Sequence, residues 1–483
     1  MQSLSPLIQI TVKSLLLFTS HDILLPKGGV KRARLEADGF GNIHDIVIVR
    51  LSFLLGIPHL VIFNMEDYYE EYEDYEIGDI SEESLIYDTS PFGADISAKS
   101  VYDECMEPTV YSAVDQVIWL LFSCLLFRIL TQLVTIPKPL CHFVSFVSGL
   151  IGLFSVVGPN ALYTSILGVA TYWCLVSCAK RSFASSTYKV IVGGLLIYLV
   201  AREYYNVLPE SWEQVRGVQM IMVMKTLSLS YEIFDGRRKE IPPLLDYVGY
   251  MFCPATVVFG PWISFNSYAN AFENGRWGIG WGIRVFATSI LSVVCLGFSS
   301  CWVYWFFAGI NLSWVIAMRD ALSVRFSHYF VCLMSEVTCT LCGFYSDDGV
   351  SVEVTKPWKI EFPRSLVEVV INWNISMHRW LRHHVFRPSK QLGRFRSVLL
   401  TFLVSSMLHG MNFNLTMVLL SLGFYTYVEY TLREKLGNIF DACILSRACP
   451  PDCRHTYKYP NVGVIAVNLF LASGRTSIWR IWE

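Results

Sequence analysis

Four stretches of this sequence contain no Asp, Glu, Lys or Arg: residues 139–179, 247–272, 285–318 and 397–428. A helix rises about 1.5 Å per residue, so about 20 apolar residues cross about 30 Å of hydrocarbon. Each stretch exceeds that length, and 139–179 is long enough for two helices broken near Gly158-Pro159. Weaker candidates are 117–136 with Arg128 inside, 188–205, 326–346 with Glu336 inside, and the short 459–474. Together they predict about 8 to 11 spans. Lipid offers the backbone no hydrogen-bond partner, so a span is a helix or a strand of a closed barrel. Barrel strands alternate over short segments of about ten residues, whereas these runs are continuous and longer. The expected fold class is therefore all-α, a polytopic membrane bundle.

Composition agrees. Of 483 residues, 53% are hydrophobic and 16% charged, against about 25% charged in soluble domains. Size excludes a disulfide scaffold. The balance of 38 basic against 40 acidic residues argues against nucleic acid as a partner. That balance hides an asymmetry. Between Glu66 and Glu104 there are 14 acidic residues and one basic residue, Lys99, so the remainder holds 26 acidic and 37 basic residues. A cationic membrane body thus carries an anionic leader. Its run MEDYYEEYEDYEIGDISEE repels itself and is expected to be disordered.

The chain divides into residues 1–64, 65–110, 111–475 and 476–483. Residues 1–64 read as a doubtful extension ahead of a second candidate start, Met65. Within it, residues 4–25 look partly like a signal sequence, but Lys13 interrupts the apolar run. Then come the acidic leader, the membrane body and an atypical, shortened end.

Most of the 14 cysteines lie in apolar runs (Cys124, Cys141, Cys174 and Cys178 among them) and read as small buried hydrophobes. Cys339 and Cys342 have zinc-like spacing without a second pair. Cys449 and Cys453 with His455 sit in a loop and suit either a disulfide or a metal clip.

The informative residues are those that lipid should exclude. His409, in LVSSMLHGMNFNLTMVLL, is the one residue among Asp, Glu, Lys, Arg and His between residues 397 and 428. It reads either as a packing histidine or as a functional one. Gly410 beside it admits a close approach, and a neutral imidazole in a protein-lined cavity suits general-base work or a proton relay.

The second candidate is 363–387, PRSLVEVVINWNISMHRWLRHHVFR. Leu366, Val370, Trp373, Met377, Leu381 and Val385 mark one apolar face of a helix beginning at Pro363. The basic residues Arg379, Arg382, Arg387, Lys390, Arg394 and Arg396 follow. They suit a cytosolic flank or the phosphates of an anionic ligand equally well. Neither reading explains Asn374 beside Trp373, whose amide needs partners at depth. His378, His383 and His384 lack the spacing of a helical metal pair, and the sequons at Asn311, Asn374 and Asn414 lie where glycosylation is not expected.

The pairing of Leu408-His409-Gly410 with an upstream Asn374 resembles the membrane-bound O-acyltransferases. The likeness runs through RGVQMIMVMKTLSLSYE (216–232), VVFGPWISFNSY (257–268) and VRFSHYFVCLMSE (324–336). It continues in FPRSLVEVVINWNISMH (362–378), SSMLHGMNFNLTMVLLSLGFYTYVEYTLREKL (405–436) and CILSRACPPDC (443–453). The resemblance implies a multi-span acyltransferase fold around a tunnel. In it His409 is the catalytic histidine, Asn374 the second polar residue of the site, and Trp373 a residue lining the acyl tunnel. It further implies palmitoleoyl-CoA as donor, a serine of a Wnt protein as acceptor, and the endoplasmic reticulum membrane as location. Arg379 and Arg382 would then serve the acyl-CoA, and no metal or prosthetic group is required for the reaction. Left open beside this reading are a transporter with His409 on a proton path and an inactive lipid- or peptide-binding scaffold.

Overall fold

The computed structural model describes residues 97–132, 136–179, 185–205, 209–272, 278–310, 312–344, 352–450, 452–458 and 461–473. The extension 1–64, the acidic run up to residue 96 and the chain end from 474 lie outside the described residues. Among those described there is no strand, and one isolated bridge joins Ala442 to Tyr457.

The N-terminal helices are α1 (Glu107–Gln132), α2 (Lys138–Val157), α3 (Ala161–Ala179) and α4 (Ser185–Tyr204). The break expected near Gly158-Pro159 falls between α2 and α3, as a single tight turn over Gly158–Asn160. Among the described residues, three helical stretches are long and apolar enough to cross a membrane: Ala98–Gln132, Lys138–Cys178 (with the turn at Gly158–Asn160 inside it) and Ile279–Phe306. Their outward faces fit that role. On α2, Phe143, Val147, Ile151 and Phe154 are exposed at helical spacing. Ile283, Phe286, Ile290 and Val294 form a similar stripe on α8 (Ile279–Gly297). Apolar stripes of this size left uncovered are faces for lipid. Of the cysteines read as buried hydrophobes, Cys124 and Cys141 are buried but Cys174 is exposed on α3. Its face of that helix also carries the exposed Trp173.

Two helices form the interior. In α5 (Pro209–Phe234) every residue from 221 to 230 is buried, and in α9 (Ser313–Cys342) every residue from 328 onward. A helix buried on all sides needs its polar groups satisfied from its neighbours. Arg128 of α1 does this for α9: fully buried, it donates from Nη1 to Thr340 O at 3.0 Å and lies over the Trp281 ring. Glu336 of α9 accepts from the backbone of Val354 and Thr355 at 2.7 and 3.3 Å.

Residues 247–272 correct an expectation, because they do not form a spanning helix. α6 (Leu244–Met251) ends early, an irregular segment follows, and α7 (Phe265–Asn270) is short. Pro254 and Pro261 have no N–H for a helical ladder. The carbonyls freed by the break are met from α5. Lys225, fully buried, donates to Tyr250 O at 2.8 Å, Met251 O at 3.2 Å and Thr256 Oγ1 at 2.7 Å. Irregular backbone at membrane depth is tolerated where protein encloses it in this way.

Glycine sets the approach of α2 to this segment. A Cβ on Gly149 would fall 1.4 Å from the carbonyl oxygen of Phe252. Gly149→Ala must therefore push α2 away from the Lys225-centred turn. We expect a loss of about 3 kcal/mol, read as a lower unfolding midpoint in detergent. Gly193→Ala, whose Cβ would meet nothing within 4 Å, serves as the control.

The C-terminal part contains α10 (Leu366–Trp373), α11 (Ile375–Leu381), α12 (Arg394–Leu408), α13 (Phe413–Ile439) and α14 (Val462–Ser473). Two further expectations are corrected here. The helix predicted from Pro363 begins at Leu366, because the Ser365 hydroxyl caps it by accepting from Glu368 N at 3.2 Å. It does not run on through residue 387 either, since it breaks at Asn374. The charge-free stretch 397–428 is likewise two helices, interrupted at His409–Asn412. Elsewhere Cys105 and Cys301 form a disulfide, a pairing that residues 196 apart do not announce in sequence.

Candidate active site

Each of the two chemically distinctive residues sits at a helix break. α12 ends at Leu408 with His409 as its cap, its N–H donating to Ser405 O at 3.2 Å. The chain then reverses through Gly410 and Met411, at φ +85° and +57°. Gly410 adopts the left-handed conformation at little cost. Met411 is held there by its N–H to Ser406 O at 2.8 Å and by its carbonyl, which accepts from the Tyr204 hydroxyl at 2.9 Å. Asn412 then caps α13, its Oδ1 accepting from Asn414 N and Leu415 N. The half-buried imidazole of His409 makes no hydrogen bond with any described residue.

The turn packs against a charged cluster that the sequence reading did not single out. A Cβ on Gly410 would lie 2.9 Å from Oε2 of Glu203, at the end of α4. Glu203 accepts from Trp212 Nε1 at 2.6 Å, and Arg216 Nη1 donates to both of its oxygens at 3.0 Å. Arg216 is only 4% exposed, and its Nη2 is buried without a partner among the described residues. The signal that could have found the cluster is the one that found His409, an ion beside apolar sequence. Glu203 and Arg216 stand 13 residues apart on different helices, however, and nothing local pairs them.

Asn374 lies in extended backbone, φ −144° and ψ 95°, between α10 and α11. Its Oδ1 accepts from Met377 N at 2.9 Å and so caps α11, the ordinary competition of an Asn side chain with helical backbone. Ile375 N donates to Val354 O at 2.8 Å, fixing the break to the preceding loop. With Oδ1 engaged, the Nδ2 amide is the end that can donate to a ligand. Trp373 stacks on the His328 ring, centroids 4.0 Å apart and planes 10° off parallel, while His328 Nε2 lies 2.8 Å from Trp373 O.

The structure thus joins Trp373, beside Asn374, to His328 of α9, and His409 to the ends of α4 and α5. Trp373, Met377, Val404 and Met407 all pack against the one large apolar core that also buries Leu408. No hydrogen bond links the Asn374 and His409 side chains. Arg379 and Arg382 are exposed, one turn apart, beyond Asn374.

The description of the membrane-bound O-acyltransferase family matches residues 210–433, a segment that contains both breaks. The chain is 35% identical over 393 residues to the protein-serine O-palmitoleoyltransferase porcupine of Homo sapiens, covering 76% of this chain and 84% of that protein. The porcupine of Anopheles gambiae is 33% identical over 419 residues, covering 78% and 84%. A lysophospholipid acyltransferase of Schizosaccharomyces pombe is 24% identical over 381 residues, covering 67% and 72%.

Proposed function

Because the chain belongs to the membrane-bound O-acyltransferase family, we propose that this membrane protein moves a monounsaturated, palmitoleoyl-type acyl group from CoA to a serine hydroxyl of a Wnt protein. The observation that carries this reading is the extent of its likeness to relatives named for that transfer, 84% of the human protein's length. The endoplasmic reticulum is the proposed location, since a secreted acceptor is threaded into its lumen while acyl-CoA is supplied from the cytosol.

The acyl chain is soluble in lipid and the CoA head in water. A reaction centre at membrane depth spares the head a crossing that would cost several kcal/mol per buried polar group. In the proposed step the serine Oγ bonds to the thioester carbonyl carbon and the C–S bond to CoA breaks. The proton passes from the hydroxyl to a ring nitrogen of His409, then to the departing thiolate. The Asn374 Nδ2 donates to the carbonyl oxygen as negative charge gathers on it. Trp373 lines the acyl chain's path, and Arg379 and Arg382 meet the CoA phosphates, for which exposed guanidinium forks are suited. The step needs no metal or prosthetic group.

The test is transfer by the purified full chain in lipid, using labelled palmitoleoyl-CoA and a Wnt hairpin peptide carrying either serine or alanine. Label should enter the serine peptide alone, as an ester that hydroxylamine cleaves. Folded protein that binds both substrates and transfers nothing overturns the reading in favour of a scaffold. Proton flux into liposomes without transfer overturns it in favour of a transporter. In the same assay Asn374→Asp keeps the acceptor that caps α11 but loses the amide donor. Its rate should fall about 10²-fold with little change in unfolding midpoint.

A further inference from the structure

We propose that Cys443, Cys449, Cys453 and His455, in the loop between α13 and α14, form a structural zinc site that fixes the start of α10. Each offers one ligand atom, and the four atoms lie within 4.8 Å of one another. The sulfurs of Cys443 and Cys453 are 3.2 Å apart, and His455 Nδ1 is 3.5 Å from the Cys443 sulfur and 3.7 Å from that of Cys449. Around a tetrahedral zinc, with Zn–S about 2.3 Å and Zn–N about 2.0 Å, thiolates stand about 3.8 Å apart and sulfur and nitrogen about 3.5 Å. The two sulfur–nitrogen separations stand close to that value, the Cys443–Cys453 sulfurs are somewhat closer, and no pair among the four exceeds 4.8 Å. Three thiolates and one imidazole fill the coordination sphere with no position for substrate, which is the pattern of a structural ion rather than a reacting one.

The backbone that presents these ligands is held independently of them. Asp441 accepts from both the amide and the hydroxyl of Thr456. Tyr457 N donates to Asp441 O at 3.0 Å, and Cys443 N donates to Tyr457 O at 2.9 Å. This clamp sets Cys443 and His455 side by side.

What the loop touches gives the site its role. Carbonyls of residues 443, 445 and 446 are read by groups at the head of α10, and that of Ile444 by Arg433 of α13. Arg364 donates to Cys443 O and, through Nε, to Leu445 O at 2.9 Å. Ser365, the α10 cap, donates to Ser446 O at 2.8 Å. Arg433 bridges Ile444 O at 3.1 Å and Arg364 O at 2.7 Å. α10 in turn ends at Trp373 and Asn374, so the position of the loop passes directly to one half of the candidate active site.

The side of the membrane also favours a metal over a disulfide. Arg394, at the start of α12, pairs with Glu434 near the end of α13 at 3.3 Å. The cluster therefore follows α13 out on the face that carries the basic run Arg387 to Arg396. Such runs mark the cytosolic side, where thiols stay reduced.

The full chain, purified in detergent without added metal or chelator, should contain about one zinc. Cobalt exchanged for it should give the absorption of a tetrahedral thiolate complex. His455→Cys should retain the ion, since four cysteines are an equally good set, whereas Cys449→Ser combined with Cys453→Ser should lose it. Stripping the zinc should speed amide exchange over residues 364–368. Wild-type protein with sub-stoichiometric zinc and freely alkylated thiols overturns the proposal. So does a disulfide between two of the three cysteines, or zinc kept in full by the double variant. Should that double variant not fold, wild-type zinc content and its retention in His455→Cys still decide.

Discussion

His409→Ala protein is expected to transfer acyl groups about 10²–10⁴-fold more slowly than wild type, the usual contribution of general-base assistance. The backbone predicts that the loss is chemical rather than structural. The turn is held by main-chain bonds from His409, Gly410 and Met411 to residues 405–407 and by the Tyr204 hydroxyl. The ring of residue 409 contributes to none of them. The variant should therefore keep its unfolding midpoint and its affinity for acyl-CoA while kcat falls, which is the signature of an interaction made in the transition state. Transfer within a factor of ten of wild type, in folded His409→Ala, would sink the assignment of the base. A parallel fall in rate and midpoint would instead make His409 a packing residue.

His409 was legible in the sequence because lipid makes an ionisable side chain conspicuous. Its setting was not, since the apolar run 397–428 looks like one helix until Gly410 and Met411 adopt positive φ and reverse the chain. Asn374 shows the same division. Its oddity beside Trp373 was visible, yet the apolar periodicity from Leu366 to Val385 runs straight across it, and only the cap to Met377 N reveals two helices. Periodicity reports which face is buried and is blind to a break that keeps the face in register. The stretch 247–272 failed for a different reason. Hydropathy measures freedom from charge within the stretch, whereas the charge that shapes it, Lys225, lies about twenty residues upstream on another helix. The membrane class, the helical fold and the family were thus readable from local sequence. The partners of the site were not, because Glu203, Arg216 and His328 reach it from distant helices.

That dependence on distant partners makes Glu203→Gln the most damaging change we expect away from the reacting atoms. Glutamine keeps the shape, and its carbonyl oxygen can still accept from Trp212 Nε1, but it removes the charge opposite Arg216. Arg216 is 4% exposed, and its Nη2 already lacks a partner among the described residues, so it cannot turn to water for compensation. Leaving one ion of a buried pair alone typically costs about 3–5 kcal/mol, which should appear as a markedly lower unfolding midpoint in detergent. Activity should fall as well, because the carboxylate lies directly against the Gly410 turn that presents His409. A double variant separates charge from shape. If the uncompensated cation is the cause, adding Arg216→Met to Glu203→Gln should recover most of the midpoint, since replacing a whole buried pair by neutral groups is often harmless. If the pair's role is to hold the turn, transfer should stay low in that same stabilised protein. A double variant as unstable as Glu203→Gln alone would show that steric fit, and not charge balance, governs this end of the site.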